Sequence, residues 1–71
     1  MMLMLISRIE ELIQKSGFKK AFIADKLNIT VKQLRNYETG RSLIPMDKAY
    51  ILADLLGVGL AELYERKKVD E

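Results

Sequence analysis

The sequence predicts a compact all-α domain of five short helices. Three observations carry this: apolar residues recur at helical spacing in successive runs, no run alternates in the two-residue period of a half-buried strand, and the turns between runs are only a few residues long. A chain of 71 residues holds one small domain, with barely enough burial to fold unaided and no room for a second module. Its 49% hydrophobic and 31% charged content is that of a globular chain rather than a disordered one.

Leu5, Ile6, Ile9, Leu12 and Ile13 share a helical face, with Arg8, Glu10, Glu11, Gln14 and Lys15 between them, so a first helix is expected over 3–16, stopped by Ser16-Gly17. The apolar start, Met1 to Ile6, is too short for a signal segment and is broken at once by Ser7-Arg8, so it reads as the opening of that helix. No stretch approaches the roughly 20 apolar residues of a membrane span. A second helix, 19–27, presents Ala21, Ile23, Ala24 and Leu27 on one side, and Phe18 stands where it can staple onto Ile23.

Asn28 tolerates the left-handed backbone a tight turn requires, and Thr30 is a natural N-cap for a third helix over 30–38, which ends at Thr39-Gly40. Its inner face is Leu34 and Tyr37. Residues 41–45 form a loop, and the single proline, Pro45, precedes a fourth helix over 46–56. Gly57-Val58-Gly59 ends that helix, a fifth follows over 60–65 with Leu60, Leu63 and Tyr64, and the domain spans 1–66. Residues 67–71 carry neither apolar period nor cap and are expected to fray.

Only two residues separate Leu27 from Thr30. So short a connection sets the second and third helices at a steep crossing, the helix-turn-helix arrangement in which the second helix of the pair can enter a DNA major groove. On the outer side of that helix lie Val31, Lys32, Arg35 and Asn36. Arg and Lys reach guanine O6 and N7, Asn pairs with adenine N6 and N7, and Val touches a thymine methyl, so these are the types that base reading needs.

Charge is distributed in the same sense. Residues 19–44 hold six basic groups, Lys19, Lys20, Lys26, Lys32, Arg35 and Arg41, against Asp25 and Glu38, a net +4, although the whole chain is only +2. A basic face draws phosphates through counterion release, and Lys19 and Lys20 stand where a helix start adds free N–H groups. The absence of Cys and His removes thiol nucleophiles, imidazole bases and the usual zinc ligands. Asp47, Asp54 and Glu62 have only the spacing of a solvated helix face, so neither an enzyme nor any metal or cofactor is expected. The lack of Cys also fits a reducing compartment and points to the cytoplasm.

Residues Ala21 to Thr30, with Leu34 and the run Tyr37-Glu38-Thr39-Gly40 behind them, resemble the Cro and phage-repressor helix-turn-helix family, the xenobiotic-response-element type. Pro45, the run Leu52 to Val58, and Leu60 and Leu63 extend the likeness over nearly the whole chain. The resemblance implies a five-helix lambda-repressor-like DNA-binding domain, usually a homodimer that represses transcription from a two-fold symmetric operator in double-stranded DNA. It places base-reading positions on Val31, Lys32 and Asn36, and phosphate contacts on Lys20, Thr30 and Gln33 and near Arg41 and Ser42.

The sequence departs from the family pattern in three places. Ile13 stands where many members carry an Arg that pairs with the Glu of the Tyr-Glu-x-Gly motif, so Glu38 needs another partner or more solvent. Leu43 and Ile44 replace polar or basic loop residues and either turn inward or form part of a sticky surface. Phe22 replaces a common Glu or Gln, and Lys19 is a weak N-cap. Leu43, Ile44 and the Met-rich start also motivate a second reading, a protein-interaction module of antirepressor or antitoxin type that keeps the fold but uses apolar surface. Self-association is expected to use Met1, Met2 and Met4 or Leu60, Leu63, Tyr64 and Val69, unless these only close the core.

Overall fold

The computed structural model describes residues 2–69, with only the backbone described at Met2 and Val69. Strand β1 (Met2–Ser7) leads into helices α1 (Ile9–Ser16), α2 (Lys20–Leu27), α3 (Val31–Thr39) and α4 (Met46–Leu56), then a single 3-10 turn (Leu60–Leu63) and strand β2 (Tyr64–Val69). The two strands form an antiparallel ribbon in which Leu3 faces Lys68, Leu5 faces Arg66 and Ser7 faces Tyr64. The fold is mostly helical, with four α-helices among the described residues rather than the five expected.

The first expected helix, 3–16, is therefore corrected at its start. Residues 2–7 are extended, and α1 begins at Ile9. Met and Leu are good helix formers, yet a strand partner sixty residues away overrides that preference, as tertiary context often does. Ser7 marks the change of direction: its hydroxyl accepts from Ile9 N–H at 3.3 Å and donates to the Tyr37 carbonyl at 2.8 Å.

At the other end the fifth helix, expected over 60–65, shrinks to the 3-10 turn. Glu62 closes it by accepting from Gly59 N–H at 2.7 Å, and Tyr64 is already extended at φ −136° and ψ 142°. The tail expected to fray from 67 onward is instead paired with β1 as far as Val69. Met1, Asp70 and Glu71 lie outside the described residues.

Between these ends the sequence signals act as expected. Asn28 is left-handed at φ 58°, the Thr30 hydroxyl accepts from Gln33 N–H at 3.0 Å, and Gly40 ends α3 at φ 82°. Lys19 makes no side-chain cap for α2. Phe18, expected to staple onto Ile23, is found against Phe22, with ring centroids 5.2 Å apart, and Lys26 lies over the Phe22 ring at 5.4 Å.

Ile9, Ile13, Ile23, Leu27, Leu34, Leu52 and Leu63 are essentially sealed from solvent, each contributing about 1.5–3 kcal/mol by its burial. They come from all four helices and the 3-10 turn, so the core fixes α3 with Leu34 and Tyr37 inward. The loop residues after α3 divide: Ile44 is buried and Leu43 is 61% exposed. Ile44 N–H donates to the Tyr64 hydroxyl at 3.0 Å, which fastens the loop to the start of β2. Ile44 is thus part of the core and is withdrawn as an outward sticky residue.

Candidate nucleic-acid interface

Burial of Leu34, Tyr37 and Glu38 dictates which side of α3 looks outward. Val31, Lys32, Gln33 and Arg35 are exposed, Asn36 is half-buried, and Thr39 closes the row at the helix end. The loop then folds back. Ser42 N–H donates to the Asn36 carbonyl at 3.2 Å, the same oxygen that accepts from the Thr39 hydroxyl at 3.3 Å.

That return brings Arg41 beside the helix. Lys32, Arg35, Asn36, Thr39 and Arg41 line one open cleft of about 250 Å³, with three cations around a carboxamide and a hydroxyl. Among the described residues the ion pairs are Arg8 with Glu11, Lys15 with Glu11, and Lys20 with Glu38, so the cleft's cations have no acidic partner. A concave cationic surface with amide and hydroxyl donors suits a polyanion whose edges also accept hydrogen bonds. Arg41, expected only near phosphates, shares this cleft with Lys32 and Asn36. Thr39, read in the sequence merely as a helix stop, belongs to it as well.

The other expected contacts lie apart from the cleft. Lys19 is exposed just before α2, Thr30 and Gln33 sit at the start of α3, and Ser42 is exposed in the loop. Lys20 is only partly available, because its Nζ lies 3.2 Å from Glu38 Oε1. This pair fills the place that Ile13 leaves unmet: the cation comes from α2 instead of the first helix. The other Glu38 oxygen, Oε2, is buried without a hydrogen-bond partner. A further contact has no sequence signal beyond a basic residue on α4: Lys48 donates to the Leu27 carbonyl at 3.0 Å and holds the end of α2 against α4.

The sequence pattern of the helix-turn-helix family of Cro/C1 type matches residues 9–63, from the first residue of α1 to the last of the 3-10 turn. The chain belongs to the Cro/C1-type helix-turn-helix family. α2 and α3, joined through the left-handed Asn28, are the pair that the sequence reads as the helix-turn-helix, and β1 and β2 lie outside the matched span. The family is a DNA-binding regulatory one and is not typically enzymatic. Comparison with curated proteins finds no match. Among the described residues no helix is long and apolar enough to cross a membrane.

Proposed function

We propose that this helix-turn-helix protein is a sequence-specific transcriptional repressor that binds double-stranded DNA as a homodimer on a two-fold symmetric operator. The observation that supports it most is the outward face of α3, where Lys32, Arg35 and Asn36 share a cationic cleft with Arg41. In this reading Val31, Lys32, Arg35 and Asn36 meet base edges in the major groove, while Lys19, Lys20, Thr30, Gln33, Arg41 and Ser42 hold the phosphates on either side. Arg41 lines the cleft wall, so it stands between the two tasks and fixes the depth to which α3 enters.

A dimer is part of the reading because one small domain makes few phosphate contacts, and two-fold pairing doubles them. Selection of duplexes from a randomised pool at near-physiological salt tests it. Enrichment of an inverted repeat with half-sites about one helical turn apart is the expected result. Retention of DNA without any sequence preference would remove the operator and leave only a basic surface.

A second reading, a protein-interaction module, rests on exposed apolar surface: Leu43, Met46 and Tyr50 are 61%, 64% and 57% exposed. It predicts no DNA retention even at low salt.

A further inference from the structure

Strand β1 is apolar on both of its faces. Leu3 and Leu5 point one way and Met4 and Ile6 the other, yet these four side chains remain 39% to 59% exposed. An uninterrupted apolar strand is the pattern of a strand covered on both sides and paired along both edges. Among the described residues it is paired along one edge only, with β2, and a two-stranded ribbon is marginal in water.

The two free edges of the ribbon are chemically unlike. The β2 side carries Glu65, Arg66, Lys67 and Lys68, and charge, Lys above all, is how edge strands are kept from pairing. The β1 side carries no charge from Leu3 to Ser7. The ribbon is therefore closed to extension on one side and open on the other.

We infer that β1 pairs antiparallel with β1 of a second copy about a two-fold axis, giving a four-stranded sheet in the order β2-β1-β1-β2. The inference rests on the dimeric reading above and supplies its seam. Charge selects this occupant: two neutral strands meet at the centre and the two sets of Arg66, Lys67 and Lys68 lie at opposite edges, whereas pairing through β2 would bring six cations together against only the two Glu65 carboxylates. The seam is self-complementary, as a two-fold interface must be. Met4 faces Met4 of the partner subunit and Leu3 faces Leu5 of the partner subunit.

This register also keeps like faces on one side of the sheet, since opposed residues in an antiparallel pair share a face. Leu5 lines an apolar groove of about 310 Å³ with Leu43, Ile44, Met46, Leu60 and Tyr64. Leu3 of the partner subunit then stands at the mouth of that groove. A stable homodimer buries at least about 1,200 Å² in total, and the groove adds a second layer to a ladder that is narrow alone. The Ser7 hydroxyl ties the end of β1 to the Tyr37 carbonyl in α3, so the seam sets the distance between the two cationic clefts.

The test uses the whole chain and two variants at Met4, a position half-exposed in one protomer. Wild type is expected to sediment as two chains. Met4→Lys is expected to sediment as one chain with the same helical circular dichroism and to protect one half-site of the selected DNA at higher concentration. Lys67→Glu, on the far edge, should stay dimeric. Met4→Cys, in a chain otherwise without Cys, should form a disulfide-linked dimer under mild oxidation. If Met4→Lys does not fold, the Met4→Cys cross-link alone decides, present in support and absent against. A dimer that survives Met4→Lys and does not cross-link overturns the seam and leaves an operator-reading dimer standing. A monomeric wild type overturns it too and leaves the β1 edge to a foreign strand. A dimer that is broken by Met4→Lys but selects no DNA keeps the seam and sinks the regulatory reading.

Discussion

Lys20 Nζ stands 3.2 Å from Glu38 Oε1 and joins the start of α2 to the end of α3 across the helix-turn-helix. The two ends of this pair are unequal: the Glu38 side chain is 1% exposed and that of Lys20 is 37% exposed. The carboxylate is thus committed to the interior, while the ammonium looks partly to solvent.

Removing the cation strands the carboxylate. Lys20→Ala is expected to lower stability by roughly 1–3 kcal/mol, less than for a fully buried pair because water can reach the Lys20 side. In a Glu38→Gln background the same deletion should cost under about 1 kcal/mol, since no buried charge is left unpaired. Urea unfolding of the four proteins measures both. Equal penalties in the two backgrounds would mean that the pair is not the cause, and DNA affinity measured in the Glu38→Gln background separates the phosphate role proposed for Lys20 from its structural one.

Asn36 offers the cleft's only carboxamide. Asn36→Ala should cost about 1–3 kcal/mol on the selected operator and almost nothing on random duplex, because a lost base contact removes discrimination and not attraction. Titration of both DNAs by fluorescence anisotropy reads this out. An equal loss on the two would move Asn36 from base edge to phosphate.

Arg41 is held against α3 by the Ser42 to Asn36 backbone bond. If it meets a phosphate, Arg41→Ala lowers the slope of log affinity against log salt by about 1 for each protomer on DNA. An unchanged slope, with affinity lost only on the operator, would place it among the base readers.

Thr30 caps α3 besides the phosphate contact proposed for it, and the cap can be tested alone by substitution. Its hydroxyl caps α3 by accepting from Gln33 N–H, so Thr30→Ala should destabilise the fold by about 1 kcal/mol and Thr30→Ser should restore it. Thermal melting of the three proteins is the measurement. Equal melting temperatures would show that the cap contributes nothing.

Arg8 donates to Glu11 at 3.0 Å, and this bond, with the attraction between the charges, holds the Glu11 carboxyl below the usual carboxylate range. A carboxyl with a lower pKa folded than unfolded favours the fold above the unfolded value and loses that favour as pH falls through the folded one. The pair is at the surface, so the effect is small. Below about pH 4.5 the melting temperature of Glu11→Gln should therefore fall less steeply than that of wild type. Superimposed acid limbs would refute it.

Legibility followed the range of the interactions. Asn28, Thr30, Gly40 and Gly57 act on their own turns, so the ends of α2, α3 and α4 could be read within a residue or so. The outward face of α3 was legible for the same reason, because Leu34 and Tyr37 fix its inner side by helical period alone. β1 was hidden: Leu5, Ile6, Ile9, Leu12 and Ile13 satisfy a helix, and what makes residues 2–7 extended is a charged segment at the far end of the chain. β2 was hidden in turn because Glu65, Arg66, Lys67 and Lys68 resemble a solvated tail until β1 is beside them. The Lys20 to Glu38 pair was half legible. Ile13 announced that Glu38 needed a partner, but only the crossing of α2 and α3 says which.

The ribbon joins Met2 to Val69, the greatest sequence separation that any contact between described residues can span. Closing so long a loop is entropically costly until the intervening helices have shortened it, so β1 and β2 are expected to come together late in folding. The same ordering makes the ribbon an early part to open, and its amides should exchange with deuterium ahead of those in α3. The seam proposed on β1 would then exist only on chains whose helices are already assembled, and self-association would act as a check on completed folding before two copies of α3 are yoked together.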